Sequence, residues 1–368
     1  MSATVPPVHR VFQVATGNVG AQMLKLIHEH PELELVGLHC YSADKVGTDA
    51  GEIVGIGPIG VIATGEVEAI IAAAPDIVTF HGIEPDVDLY TRVLAAGINV
   101  ITTADWITGN LQYKRAGYDV KGAVEAACEA GGSTMYGTGM NPGLLQILAI
   151  VFTADTARVE HVSCTETVDV SFYEAPDTWR RTGFGLPADD PEVSRLMEKA
   201  TAPSAEGVEL IADALGLDLD EEIRFDVELG ACTEDVDLGW YHLATGSVGA
   251  CRAKFVGTRN GIDRIEVVLE WSMTDKTEPK IEPKGCYTVA IASDPYVQGE
   301  HWILPRPDDE FDQDTLKRIG MTATGMPVLN AIPFVVAAPE GVITSNDLPL
   351  RAFAGRFVDD DASVTVDQ

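Results

Sequence analysis

The stretch Val11-Phe-Gln-Val-Ala-Thr-Gly-Asn-Val-Gly20 is an apolar run that breaks into small residues and opens directly onto an amphipathic segment. It reads as a strand, a tight turn and the start of a helix. The N–H groups of a helix's first turn are unpaired and its dipole favours negative charge, so such a turn suits the pyrophosphate of a dinucleotide. Gly17 and Gly20 stand where the second and third glycines of a G-x-G-x-x-G fingerprint belong, and Ala15 stands at the first. Met23, Leu24 and Ile27 then share one helical face, and a further strand-like run follows. Thr16, Gly17, Asn18, Val19 and Gly20 are therefore expected to hold the cofactor; the plain alternative is an ordinary strand-to-helix turn.

The first 140 residues keep this rhythm. Strands are expected at Arg10 to Ala15, Leu33 to Cys40, Asp76 to Phe80, Asn99 to Thr103 and Ser133 to Gly137, with helices near Val19 to His30, Glu66 to Ala74, Asp86 to Ala96 and Tyr118 to Ala130. Such alternation predicts a parallel sheet with crossover helices. Gly97 and Gly131-Gly132 supply left-handed residues that close two of those helices. After a short helix opening at Pro142, with Asn141 as its cap, the pattern changes. Ile223 to Leu229, Ile265 to Trp271 and Tyr287 to Ala292 alternate apolar and polar residues, and Asn260-Gly261 marks a hairpin between two such runs. The fold class is α/β, a doubly wound parallel sheet of Rossmann type followed by an α+β domain on a mostly antiparallel sheet. The expected boundaries are 1–141 for the dinucleotide-binding domain, 142–321 for a substrate and dimerisation domain, and 322–368 for a segment returning to the first.

Charge narrows the partners. The chain of 368 residues has 25 basic and 57 acidic side chains, a net charge of −32. That field repels phosphate backbones and anionic lipid, so neither nucleic acid nor a membrane is an expected partner. The acid is spread along the chain, with a local run at Asp359-Asp-Asp361, and reads as solubility more than as a binding tail. The longest apolar runs identified, Ile70 to Ala74 and Leu144 to Phe152, are short for a bilayer, and Met1 to Arg10 lacks a signal-peptide pattern. A cytoplasmic location is expected. Six cysteines without C-x-x-C pairs read as reduced, mostly buried thiols, with no metal site.

Chemistry in an open parallel sheet belongs at the carboxyl ends of its strands. After the second strand the chain offers Tyr41, Ser42 and Lys45, with Asp44 among donors and no carboxylate at the strand end itself. This favours NADP over NAD, although Lys45 reads equally as a solvated loop charge. Phe80 and His81 after the third strand, and Thr103 after the fourth, are placed near the nicotinamide. Asp105, with Trp106 limiting water, reads as a base or a hydrogen-bond anchor for a cationic amine. A helix-capping aspartate is the competing interpretation. In Gly137-Thr-Gly-Met-Asn-Pro-Gly143 the glycines permit close backbone approach and the Asn141 amide offers both donors and acceptor, so Gly139 and Asn141 join the candidates.

Together, Ala15-Thr-Gly-Asn-Val-Gly20, Gly97-Ile-Asn-Val-Ile-Thr-Thr-Ala104, Gly137-Thr-Gly-Met-Asn-Pro-Gly-Leu144 and Asn330-Ala-Ile-Pro333 with Ala338-Pro339 resemble the 2,4-diaminopentanoate dehydrogenases and native amine dehydrogenases. These are relatives of dihydrodipicolinate reductase. The resemblance implies a homodimer and an NAD(P)-dependent oxidoreductase acting on CH–NH2 or imine groups, with a small amine or carbonyl compound as substrate. It adds Asn330 to the nicotinamide contacts. Where that family reads Ala-Glu-Glu, this chain reads Ala104-Asp105-Trp106, so the family's catalytic glutamate falls on Asp105 or on Trp106. The paired histidines and lysine of dihydrodipicolinate reductase's substrate motif have no counterpart.

In the second domain Tyr173, Glu174 and Trp179 are candidate substrate contacts with Trp106, though packing explains the aromatics as well. His242 and His301, each beside an aromatic, read as packed histidines. Two other functions compete with amine oxidation. One is a carbonyl or ring-imine reductase in which Asp105 is structural; the other is a nucleotide-binding sensor that has lost catalysis.

Overall fold

The computed structural model describes residues 8–111 and 119–350. The acidic run at 359–361, the extreme amino terminus and the first residue of the expected helix at 118 lie outside the described residues. The first unit runs β1 (His9–Val14), α1 (Asn18–Glu29), β2 (Leu33–His39), α2 (Ala50–Val54), β3 (Ala63–Thr64), α3 (Val67–Ala73), β4 (Ile77–Phe80), α4 (Val87–Ala95), β5 (Asn99–Thr103), α5 (Val120–Gly131) and β6 (Thr134–Thr138). The second runs α6 (Leu145–Phe152), β7 (Arg158–Asp169), α7 (Pro176–Arg181), α8 (Pro191–Thr201), α9 (Pro203–Ala214), β8 (Arg224–Cys232), β9 (Val236–Asp237), β10 (His242–Leu243), β11 (Val248–Arg259), β12 (Ile262–Ser272), β13 (Thr277–Glu278), β14 (Cys286–Asp294) and β15 (Val297–His301). Helix α10 (Gln313–Val336) and strand β16 (Gly341–Ile343) bring the chain back to the first sheet.

That sheet is parallel throughout and doubly wound, in the order β16-β6-β5-β4-β1-β2-β3. Its five central strands lie within a residue of the sequence expectation. One face packs against α4 and α5 through Phe12, Val78, Leu89, Val93 and Val124. The other packs against α1 and α10 through Val11, Met23, Ile27, Ile77, Val328 and Ile332. With both faces covered, every residue of Ile77-Val-Thr-Phe80 is buried, and each apolar side chain so placed contributes roughly 2 kcal/mol. Helix α10 is, by length and composition, apolar enough to cross a bilayer, which the short-run expectation overlooked. One of its faces packs into the core of the first unit, with Gly325 set closely against Met23 of α1.

The second sheet has the order β13-β8-β11-β12-β7-β14-β15, antiparallel except where β12 lies parallel to β7. Asn260 and Gly261 join β11 to β12 with φ of 54° and 70°, the left-handed pair a two-residue hairpin demands. One face of this sheet is apolar. Val162, Phe255, Val267 and Ile291 meet α6 and α9, while Cys251, Ala253 and Leu269 meet α7 and α8. The opposite face carries charge, with Arg252 bonded to Glu270 at 2.5 Å and to Glu228 at 2.6 Å. All six cysteines are free thiols and buried.

Two local expectations need correction. No helix starts at Pro142: the Asn141–Pro142 peptide is cis, Pro142 has ψ 150°, Gly143 has φ 140°, and regular helix begins at Leu145. Asn141 is thus no cap, because its side chain is engaged elsewhere. His242 is exposed, not packed.

Candidate functional site

The turn between β1 and α1 is braced from below. Gln13, fully buried, donates from Nε2 to the carbonyls of Ala15 (2.9 Å) and Gly20 (2.7 Å). Ala15 takes φ 73°, so the first fingerprint position has the glycine conformation without the glycine. A Cβ on Gly20 would run into the Ala15 carbonyl oxygen, whereas one on Gly17 would meet nothing within 4 Å. The first turn of α1 has neither a capping side chain nor an acidic residue. An open approach at Gly17 and uncapped helix N–H groups fit a pyrophosphate, with Thr16, Gly17, Asn18, Val19 and Gly20 as its surround.

A cavity of about 730 Å³ extends from this turn along the ends of β2 and β4. Tyr41, Ser42, Lys45 and His81 line it, all named from sequence. Lys45 is not a plain solvent charge, since its Nζ donates to Thr16 Oγ1 at 3.0 Å and lies over the turn. Tyr41 donates to Asp86 Oδ2 at 2.6 Å, and burial together with that carboxylate holds its hydroxyl well above the ordinary tyrosine range. Arg181 of α7 lines the same cavity from the second unit, a cation that sequence reasoning missed.

At the end of β4, Phe80 turns away from the cavity into the core beside Tyr90, which corrects its expected nicotinamide contact. His81 remains at the site. Its Nδ1 and Thr103 Oγ1 are hydrogen-bonded at 2.7 Å, and burial lowers its pKa to about 3, so the ring is neutral. After β5 the chain turns sharply. Ala104 and Trp106 have φ of 55° and 59°, so Asp105 sits between two non-glycine residues in the left-handed region, each costing on the order of 1–3 kcal/mol. No helix begins there; Asp105 Oδ1 accepts the N–H of Trp106 at 3.0 Å.

Trp106 is fully buried and packs edge-on against Tyr90, so it is core and not a pocket wall. The loop it belongs to is held by a residue the sequence did not flag. Glu206 of α9, with no exposed surface, accepts the N–H groups of Ile107 (2.7 Å), Thr108 (3.2 Å) and Leu111 (2.8 Å). Burial first, and then nearby Asp105, push its pKa up to about 7 against those donors. Glu209 adds bonds to Thr108 and Asn110.

Beyond β6, Gly139 lets the strand end close on Ala104, whose N and Cβ a Gly139 Cβ would crowd at 3.2 and 3.3 Å. Asn141 then reaches the second sheet: its Nδ2 donates to Glu166 Oε2 at 3.0 Å and its Oδ1 accepts Gln146 Nε2 at 2.9 Å. Glu166, also missed, is the acid in the apolar register of β7, after Val162 and Cys164 and before Val168. An acidic residue at alternate spacing among apolar ones was the signal available.

Of the substrate candidates, Tyr173 is half-buried and lies near Asn18 of the turn. Glu174 is exposed. Trp179 is buried in the core of the second unit against Trp271 and Phe184, donating to the Tyr173 carbonyl at 2.8 Å, and so supports the cleft without lining it. Asn330 lies on α10 and lines a separate cavity of about 740 Å³ with Thr138, Met140 and Leu144.

Comparison with known proteins gives this arrangement its context. Residues 14–104 match the family described as dihydrodipicolinate reductase, N-terminus. An amine dehydrogenase of Streptomyces virginiae is 27% identical over 356 residues, covering 93% of this chain and 96% of that protein. The chain is thus similar to an amine dehydrogenase along nearly its whole length. A 2,4-diaminopentanoate dehydrogenase of Acetoanaerobium sticklandii is 23% identical, covering 95% of this chain and 96% of its own. The fold of this chain matches that of the amine dehydrogenase from Mycobacterium smegmatis with a TM-score of 0.76 at 17% identity, over 95% of this chain and 98% of the other.

Proposed function

We propose that this protein is an NAD(P)-dependent oxidoreductase acting on a small primary amine, interconverting CH–NH2 and imine, with water releasing a ketone or aldehyde. The observation that carries the reading is the chain-long likeness to an amine dehydrogenase in a protein that holds a carboxylate, Asp105, on a strained turn at the carboxyl end of β5. When bound, the nicotinamide accepts or supplies the hydride. Thr16 to Gly20 hold the pyrophosphate, and His81, Thr103 and Gly139 shape the nicotinamide end, with Asn330 on the neighbouring cavity beside Thr138. Neutral His81 and Thr103 offer hydrogen bonds there without adding charge. Asp105 orients the amine, and its strained loop is kept in place by Glu206.

NADP is the preferred cofactor in this reading. Lys45 over the turn, Ser42 beside it and Arg181 across the cavity supply cations and donors where a ribose phosphate would lie. Assembly as a homodimer and a cytoplasmic location complete the proposal, with domain limits at 1–141, 142–321 and 322–368.

The test is amine oxidation followed by nicotinamide absorbance, across a panel of small primary amines with each cofactor, in the native protein and in Asp105→Asn. Turnover with NADP⁺ above that with NAD⁺, falling at least tenfold in the variant, is the expected result. Turnover that survives Asp105→Asn within a few-fold removes Asp105 from the chemistry and favours the carbonyl or ring-imine reductase.

A further inference from the structure

Resting on the amine reading above, we propose that Glu166 is the carboxylate that binds the substrate's ammonium group and takes its proton before hydride leaves the carbon. The geometry begins with a relay whose polarity is fixed at one end. The Gly143 N–H can only donate, and it donates to Gln146 Oε1 at 2.7 Å. Gln146 Nε2 must then donate to Asn141 Oδ1, which leaves Asn141 Nδ2 to donate to Glu166 Oε2. On the other side the Trp271 indole, also donor only, holds Glu166 Oε1 at 2.8 Å. Both oxygens are therefore oriented as acceptors with lone pairs to spare.

The surroundings suit a cation. Trp271 is in turn packed edge-on by Trp179 at 5.6 Å, and Tyr287 is the direct cross-strand neighbour of Glu166. Rings packed beside a carboxylate keep its surroundings poor in water, which strengthens its attraction for an ammonium. Glu166 is half-buried, so a ligand can reach it, yet none of the ion pairs among the described residues engages it. A desolvated carboxylate without a counter-charge is costly, and a substrate ammonium would offset that cost. Its hydrogen bond to Asn141, three residues past the end of β6, ties it to the carboxyl end of the parallel sheet.

The step balances without any further reagent. One N–H bond of the R2CH–NH3⁺ group breaks and one O–H bond forms on Glu166, leaving R2CH–NH2 with the free nitrogen lone pair that hydride loss requires. In reductive amination the proton returns by the same path. Burial raises the Glu166 pKa, which makes the carboxylate a better acceptor for that proton. The titratable side chains about it are Cys164 on its own strand, Tyr287 on β14 and Cys251 on β11, and burial holds all three on the alkaline side, away from a carboxylate's range.

The test sets the two carboxylates against each other. Calorimetric titration of the cofactor-loaded protein with small primary amines and with the alcohols of the same carbon skeletons measures recognition of the ammonium directly. The native protein is expected to bind the amines at least tenfold more tightly, Glu166→Gln to lose that preference, and Glu166→Asp to recover part of it. The acid limb of the pH profile for amine oxidation is expected to disappear in Glu166→Gln and to persist in Asp105→Asn. No amine preference in the native protein, a preference retained in Glu166→Gln, or an acid limb lost in Asp105→Asn alone overturns the assignment. Ammonium-dependent turnover of the native protein reports separately on the amine reading itself.

Discussion

The two sheets build their halves of the cleft by different means. The parallel sheet keeps its strands apolar and hangs its site groups on the turns that follow them: Thr16 to Gly20, His81, and Asp105 on the strained turn after Thr103. The mixed sheet instead sets Glu166 on the pleated face of a strand, among side chains that elsewhere form core. A turn tolerates polar groups because its backbone is already bent toward solvent. A carboxylate on a packed face persists only when designated donors hold it, here Asn141 and Trp271. The first half is therefore tuned by backbone conformation, and the second by side-chain partnership.

If backbone conformation governs the first half, Gly20→Ala is the most damaging small change there. The added Cβ meets the Ala15 carbonyl, and a loss of about 3 kcal/mol with failure of dinucleotide binding is expected in urea unfolding and fluorescence titration. Side-chain partnership reaches across the cleft at Glu206, and Glu206→Gln puts an amide donor where backbone N–H groups need acceptors. A stability loss of roughly 2–3 kcal/mol is expected, with kcat reduced more than cofactor affinity because the Asp105 loop loosens.

His81 sharpens the contrast through pH. Its folded pKa of about 3 lies below the unfolded value, so the unfolded chain takes up the proton first as pH falls. The stability from neutral His81 is present above pH ~6.5 and is lost progressively toward pH 3; between pH 7 and 5 the loss is about 2 kcal/mol. His81→Asn should flatten that part of the curve in unfolding measured at both pH values. The smallest effect expected is a gain. Ala15→Gly relieves a left-handed alanine and should raise stability by about 1 kcal/mol while retaining dinucleotide binding.

The contrast also explains what the chain disclosed before its structure was known. The glycine turn and the five central strands were legible because apolar runs, small residues and helical faces are local signals. Strands Ala63–Thr64 and Gly341–Ile343 are too short to show a period, and they join the sheet edges through pairing with distant residues. Pro142 looked like a first helical residue, but tertiary demand on Asn141 keeps that stretch extended. Trp106 resembled a pocket wall because it follows Asp105, yet its left-handed backbone and the Tyr90 ring carry it into the core. Glu206 gives no local sign, because an acid in a helix reads as solvent-facing until its partners are known, whereas Glu166 shows only as an acid in the apolar register of β7.

The most direct test is NADPH consumption by the purified protein with small ketones and aldehydes, measured with excess ammonium at alkaline pH and without it. Oxidation of NADPH that requires ammonium, with the amine recovered as product, is the expected result. Equal consumption in the absence of ammonium would make the protein a carbonyl reductase, and dinucleotide binding without turnover of any carbonyl would make it a sensor; either contradicts amine chemistry in this cleft.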